Sequence, residues 1–239
     1  MAASSRKTRA LGLLTAGLML LAFYMIIFYL PPMKDEAGQV LSSSFKIFYF
    51  HLPIAISSYL AFTVLFICSV LFLRNKASCW DIYARSAAEV GAFFAFLVLL
   101  TGSIWAKAAW GWYWIWDLRL TTSLVLFLVY LAYLALRQAV EEPGKRGRFA
   151  AVFGIIGFAS VPLSFFSIRL WRSAHPLMFG QGPGGTGGGS GLEGGSLQLT
   201  LLVNFLAFFL LFATLFSLKV QNERMQESLD EKSIEGLEE

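Results

Sequence analysis

Charge is scarce in this chain. Asp, Glu, Lys and Arg make up 14% of its 239 residues, where soluble domains carry about 25%, so an ordinary water-soluble domain is excluded. Cysteine is down to two residues. Cys68 lies in an apolar run and Cys79 in a basic loop, so neither a disulfide scaffold nor a cysteine metal site fits, and both read as packing residues. The formal net charge of +4 is small and dispersed, which gives nucleic-acid binding no support. Histidine is as rare as cysteine, with two residues in all. What is abundant is apolar and aromatic: 57% hydrophobic residues, among them 23 Phe, 8 Tyr and 7 Trp, with a mean hydropathy of +0.65. These values describe an all-α, polytopic integral membrane protein with most of its length in lipid.

Apolar runs mark six spans: Leu11–Leu30, Leu52–Leu73, Ala87–Ala106, Leu120–Leu136, Phe149–Ile168 and Leu197–Leu218. A run of about 20 residues at about 1.5 Å per residue covers the roughly 30 Å hydrocarbon core. The third run carries Glu89, and Arg85 four residues earlier makes a helix-end ion pair the ordinary reading, with a proton relay as the alternative. The first run follows Arg6, Lys7 and Arg9 as a signal peptide would. It is too long for one and lacks a small-residue cleavage site, so a retained first helix is expected.

Six crossings make residues 11–218 a membrane domain. Residues 1–10, loops 74–86 and 137–148 and the tail 219–239 then share one side, with loops 31–51, 107–119 and 169–196 on the other. Thirteen of the 19 basic residues fall on the first side, which the positive-inside rule makes cytoplasmic. Gly180–Gly195 reads as a flexible outer linker, since it lacks the Lys-Ser/Thr and the strand-then-helix context of a phosphate loop. The acidic tail reads as a fraying helix or disorder.

Both histidines, His51 before the second span and His175 in the last outer loop, fall on the outer side. So do six of the seven tryptophans: Trp105, Trp110, Trp112, Trp114, Trp116 and Trp171. An aromatic belt would populate both interfaces. Here Trp80 alone serves the other side, and four Trp alternate within seven residues. The segment Trp110–Trp116 is expected as an outward-facing loop or surface helix. As a helix, Trp110 and Trp114 stack on one side with Trp112 and Trp116 turned away, an apolar slab suited to a flat ligand. Two imidazoles are too few for zinc, but they suffice for haem, which leaves two axial positions. Pro53 fits the first turn of the helix behind His51. His175, just before Pro176, is expected to end a short helix from Ser167. Lys107, Arg119, Arg169 and Arg172 share the face and could pair with propionates or simply be solvated.

The string WGWYWIWDLRLTT, Trp110–Thr122, resembles the tryptophan-rich WWD family of haem-handling proteins in cytochrome c maturation, and within it the six-helix CcmC type. Trp110, Gly111, Trp114, Trp116, Asp117, Arg119, Leu120 and Thr121 match that family's pattern, and the likeness runs from about Phe45 to Leu218. The resemblance implies haem b held on a periplasmic platform of Trp110, Trp112, Trp114, Trp116, Asp117 and Arg119, with His51 and His175 on the iron. It also implies transfer to a periplasmic haem chaperone of the CcmE kind. The implied setting is the bacterial inner membrane with both termini cytoplasmic. Larger relatives carry further membrane histidines that this chain lacks. No ATP-binding motif is present, so a nucleotide-driven step implies a separate ABC-type transporter subunit.

The first functional reading is therefore haem binding and delivery in cytochrome c maturation, with no turnover chemistry. A membrane b-type cytochrome or quinol-linked enzyme would want ligands deep within the spans. A small-solute transporter would want broken or charged spans near the midplane, for which only Pro162 and Asn204 offer a hint.

Overall fold

The computed structural model describes residues 2–32, 40, 42–175 and 194–238, and among these the secondary structure is helical, without strands. Helix α1 (Ala2–Tyr24) runs into a π-helical turn, Met25–Tyr29. A 3-10 turn, Ser43–Ile47, then leads straight into α2 (Phe48–Asn75). Helices α3 (Ser78–Trp110), α4 (Leu118–Ala139), α5 (Pro143–Gly157), α6 (Ser160–Leu170) and α7 (Gly195–Glu238) follow. Six segments are long and apolar enough to cross a membrane, with α5 and α6 together forming the fifth, Gly144–Leu170. The chain is a multi-pass membrane protein, and the six expected spans are the six observed.

Their ends differ from expectation in ways that matter for the site. The second helix begins at Phe48, not Leu52, because the 3-10 turn feeds it directly, and this puts His51 on the helix instead of ahead of it. Pro53 is accordingly inside α2 and not in its first turn. Of the two forms expected for the Trp-rich segment, loop or surface helix, the structure has the loop. Gly111 takes the left-handed conformation (φ 81°) that closes α3, and residues 112–117 are irregular up to Asp117, which caps α4. Only glycine adopts that conformation without steric cost. The short helix expected from Ser167 to His175 is also absent: α6 ends at Leu170, and Trp171 turns to an extended conformation. The polar tail stays helical to Glu238.

The α5–α6 break follows from Pro162. Its ring nitrogen cannot donate to the carbonyl of Phe158, and Phe158 and Ala159 form a turn, as a kink at proline requires. Helix α2 packs against α3, α5 and α7, while α4 packs against α3, α5 and α6, and α1 leans on α7. The core between them contains Phe62, Leu65, Tyr130 and Tyr133 beside Ala87, Ala88 and Ala150, and the Phe62 and Tyr130 rings stack at 3.4 Å. Small residues on facing helices let the backbones approach without any hydrophobic drive from water.

Charge collects at the end away from the histidines. Arg137, 8% exposed, grips both Asp81 oxygens at 2.6 Å. The expected Arg85–Glu89 pair is present at 3.1 Å. It belongs to a ring in which Lys219 reaches Glu89 at 2.5 Å and Glu223 at 3.0 Å, and Arg85 reaches Glu223 at 2.6 Å. The ring ties α3 to the first turn of the polar extension of α7. At the histidine end, Lys46 Nζ donates to the carbonyls of Ile26 (3.3 Å) and Leu30 (3.4 Å), which lie in and just after the π-turn.

Candidate functional site

Residues from five helices, the Ser43–Ile47 turn and two connecting segments line a cavity of about 420 Å³ at the histidine end. His51 and His175, 124 positions apart in sequence, both line it, together with Trp105, Trp110 and Trp114. Most of the rest of the wall is apolar, including Phe48, Leu52, Ile56, Val98, Phe165 and Phe205, and two cations, Arg119 and Arg169, complete it. Among the described residues no three His, Cys, Asp or Glu side chains gather as a metal ion would need.

His51 is held from behind. Its Nδ1 lies 2.7 Å from the hydroxyl of Thr101 on α3. That hydroxyl spends its single hydrogen on the carbonyl of Leu97, also at 2.7 Å, so toward His51 it is an acceptor and Nδ1 carries the proton. Nε2 is then the nitrogen with a free lone pair, the form in which histidine binds iron. Gly102 gives the ring its room, because a Cβ there would lie 3.3 Å from His51 Cε1.

The aromatic wall is built around Trp105, which meets Trp110 edge-on at 5.0 Å and Phe45 edge-on at 5.6 Å. The His175 ring lies 6.1 Å from Trp105. Trp114 and Trp116 touch edge-on at 5.8 Å, but they look in different directions. Trp114 lines the cavity and its buried Nε1 has no acceptor among the described residues, whereas Trp116 is 79% exposed and Trp112 70%. The four alternating tryptophans thus divide into two that wall the cavity and two outward.

Asp117 lies outside the lining set. Its carboxylate caps α4 by accepting from the amide of Arg119 at 2.9 Å, and it also accepts from Ser173 Oγ and the Ala174 amide, both at 2.8 Å. Arg119 donates to the carbonyl of Ser164 and sits over the Tyr59 ring at 6.0 Å. Of the other three expected propionate partners, Arg169 lines the cavity with its guanidinium 5.1 Å from the Phe165 ring centre. Lys107 instead donates to the Gly111 carbonyl at 2.8 Å, and Arg172 is exposed and not among the lining residues. Met178, whose thioether could serve as an axial haem ligand in place of a histidine, and nearly all of Gly180–Gly195 lie outside the described residues.

Thr101, Gly102 and Ser173 were not visible as site residues in the sequence. The one available signal was spacing: Thr101 precedes Trp105 by one helical turn and so shares its face of α3.

Fold and site together define a class: a six-span helical membrane protein with a two-histidine, tryptophan-walled cavity at one end. The CcmC family profile, described as Heme exporter protein C, matches residues 1–235, and the chain belongs to that family. Among curated proteins, the Heme exporter protein C of Bradyrhizobium diazoefficiens is 39% identical over 178 residues, 74% of this chain and 66% of that protein. A Marchantia polymorpha mitochondrial protein, named as ccmC-like in cytochrome c biosynthesis, is 34% identical over 155 residues, 65% of this chain and 63% of its own length. The Heme exporter protein C of Escherichia coli K12 is 33% identical over 133 residues, 56% of this chain and 54% of that protein. The matches therefore span about half to two thirds of the relatives' length.

Proposed function

We propose that this chain binds haem b as cargo in the cavity at the histidine end and hands it to a periplasmic haem chaperone of the CcmE kind during cytochrome c maturation. It does so as a delivery component, without turnover chemistry of its own. The single observation that carries this reading is that the chain's only two histidines line one apolar, tryptophan-walled cavity. His51 Nε2 and His175 are the axial ligands, Trp110 and Trp114 pack against the macrocycle, and Arg119 and Arg169 meet the propionates. Trp114 Nε1, without an acceptor among the described residues, suits a ligand that carries hydrogen-bond acceptors on its edge. The exposed Trp112 and Trp116 offer an apolar landing surface to the chaperone. The chain resides in the bacterial inner membrane with this end periplasmic, and nucleotide-driven work belongs to an ABC-type partner subunit.

The test is the absorption spectrum of detergent-purified protein expressed with ample haem. A Soret band retained through purification, with six-coordinate low-spin features, is expected. His51→Ala or His175→Ala should each open one position, giving a high-spin or exogenously ligated form with weaker retention. The double variant should be close to haem-free, because both ligands serve one iron and their losses do not add independently. Absence of a Soret band from the unaltered protein would end the reading, and a single variant with an unchanged spectrum would remove that histidine from the ligand set.

A further inference from the structure

His51 is fixed by a helix, but His175 is not. It follows the end of α6 by five residues, and the described chain from Trp171 to His175 has no regular secondary structure. Yet a ligand must be aimed to be useful, since a site on an unheld loop loses the geometry that binding needs.

The aim comes from the other side of the sequence. One carboxylate oxygen of Asp117 accepts from both Ser173 Oγ (2.8 Å) and the Arg119 amide (2.9 Å), and the other accepts from the Ala174 amide (2.8 Å). Ser173 Oγ in turn accepts from the amide of His175 at 3.1 Å. Because Asp117 is itself the N-cap of α4, a rigid helix start grips residues 173–174 and, through Ser173, the backbone of His175. Each of the two Asp117 contacts is charge-assisted, the stronger class of hydrogen bond.

We propose that Asp117 is a positioning residue for His175: its carboxylate tethers the 173–175 segment to the start of α4 and so holds the loop-borne histidine at the cavity. The spectroscopic part of this inference rests on the haem reading above. The tether itself does not.

Two variants separate the tether from the helix cap. Asp117→Ser keeps a capping oxygen for the Arg119 amide but has no second oxygen to reach Ala174. Asp117→Ala removes both functions. Hydrogen–deuterium exchange on the purified protein reads the tether with or without haem. In Asp117→Ser the amides of Ala174 and His175 should exchange about tenfold faster, the factor for losing one charge-assisted bond, while the first turn of α4 stays protected. In Asp117→Ala both regions should speed up.

On haem-loaded protein, Asp117→Ser should move the spectrum toward high spin, and added imidazole should restore it. In the His175→Ala background the same substitution should change the spectrum no further. Ser173→Ala should act in the same direction as Asp117→Ser, with Ser173→Thr restoring the hydroxyl and the spectrum. Unchanged exchange at 174–175 in both Asp117 variants would overturn the proposal. So would accelerated exchange combined with a wild-type low-spin spectrum, since the histidine would then not depend on the tether. An unaltered protein without a Soret band would instead refute the haem reading and leave the exchange experiment to decide the tether.

Discussion

At the scale of single residues, the site depends on the proton at His51 Nδ1. The Thr101 hydroxyl, already donating to Leu97, can only accept from that nitrogen, which leaves Nε2 with the free lone pair on a ring that lines the cavity. Replacing Thr101 with Val keeps the shape and removes the acceptor, and the imidazole is then free to carry its proton on Nε2 instead. Haem retention by Thr101→Val should fall by about tenfold or more, in line with losses seen when a partner behind a metal ligand is removed, while Thr101→Ser should retain haem. Dialysis of loaded protein against apomyoglobin measures this, and equal loss rates for the unaltered protein and Thr101→Val would show that the hydrogen bond does not set the tautomer. The histidines were legible in sequence because there are only two of them. Thr101 was not, because a threonine in an apolar helix commonly bonds its own i−4 carbonyl, and only the packing of α2 on α3 turns that hydroxyl toward residue 51.

At the scale of elements, sequence reading found the helices and misjudged what joins them. Apolar length alone sets the spans, so all six were legible. The Trp110–Trp116 segment was open to a loop or a surface helix, and the local chemistry decides for the loop: Gly111 ends α3 in the left-handed conformation and Asp117 caps α4, leaving five residues between them, too few for a helix of their own. The division of labour nevertheless follows the same pairs, with Trp110 and Trp114 lining the cavity and Trp112 and Trp116 turned out. This separates two effects that a double substitution would merge. Trp114→Ala removes a cavity wall and should weaken haem retention. Trp116→Ala, at an exposed position, should leave retention within about twofold, as expected for an exposed side chain, yet depress holo-cytochrome c production by removing apolar contact area for the chaperone. Phe replacements should be milder at both positions. Quantified haem per purified protein, set beside holo-cytochrome c yield, distinguishes them, and full cytochrome production by Trp116→Ala would reduce that ring to an interfacial anchor.

At the scale of the whole molecule, polarity is divided between the two ends of the bundle. The end away from the histidines carries the Arg137–Asp81 pair and the Arg85, Glu89, Lys219 and Glu223 ring, and it is the end where Lys and Arg accumulate. The histidine end carries the aromatic cavity and exposed Trp112 and Trp116. Thirteen of the 19 basic residues belong to the first end, which by the positive-inside rule supports the proposed orientation, that end cytoplasmic and the cavity periplasmic. Delivery to a periplasmic acceptor requires this orientation, so orientation is where the model is most exposed to test. A Ser190→Cys variant in the glycine-rich stretch should react with a membrane-impermeant maleimide added to intact spheroplasts. Cys79, between α2 and the body of α3, should stay unreacted until the membrane is permeabilised. Because Cys79 is half-buried, an Ala77→Cys variant at an exposed position two residues away supplies a second cytoplasmic probe, expected to react only after permeabilisation. Labelling of Ala77→Cys in sealed spheroplasts, with Ser190→Cys protected, would place both histidines in the cytoplasm, where no periplasmic chaperone could collect what the cavity holds.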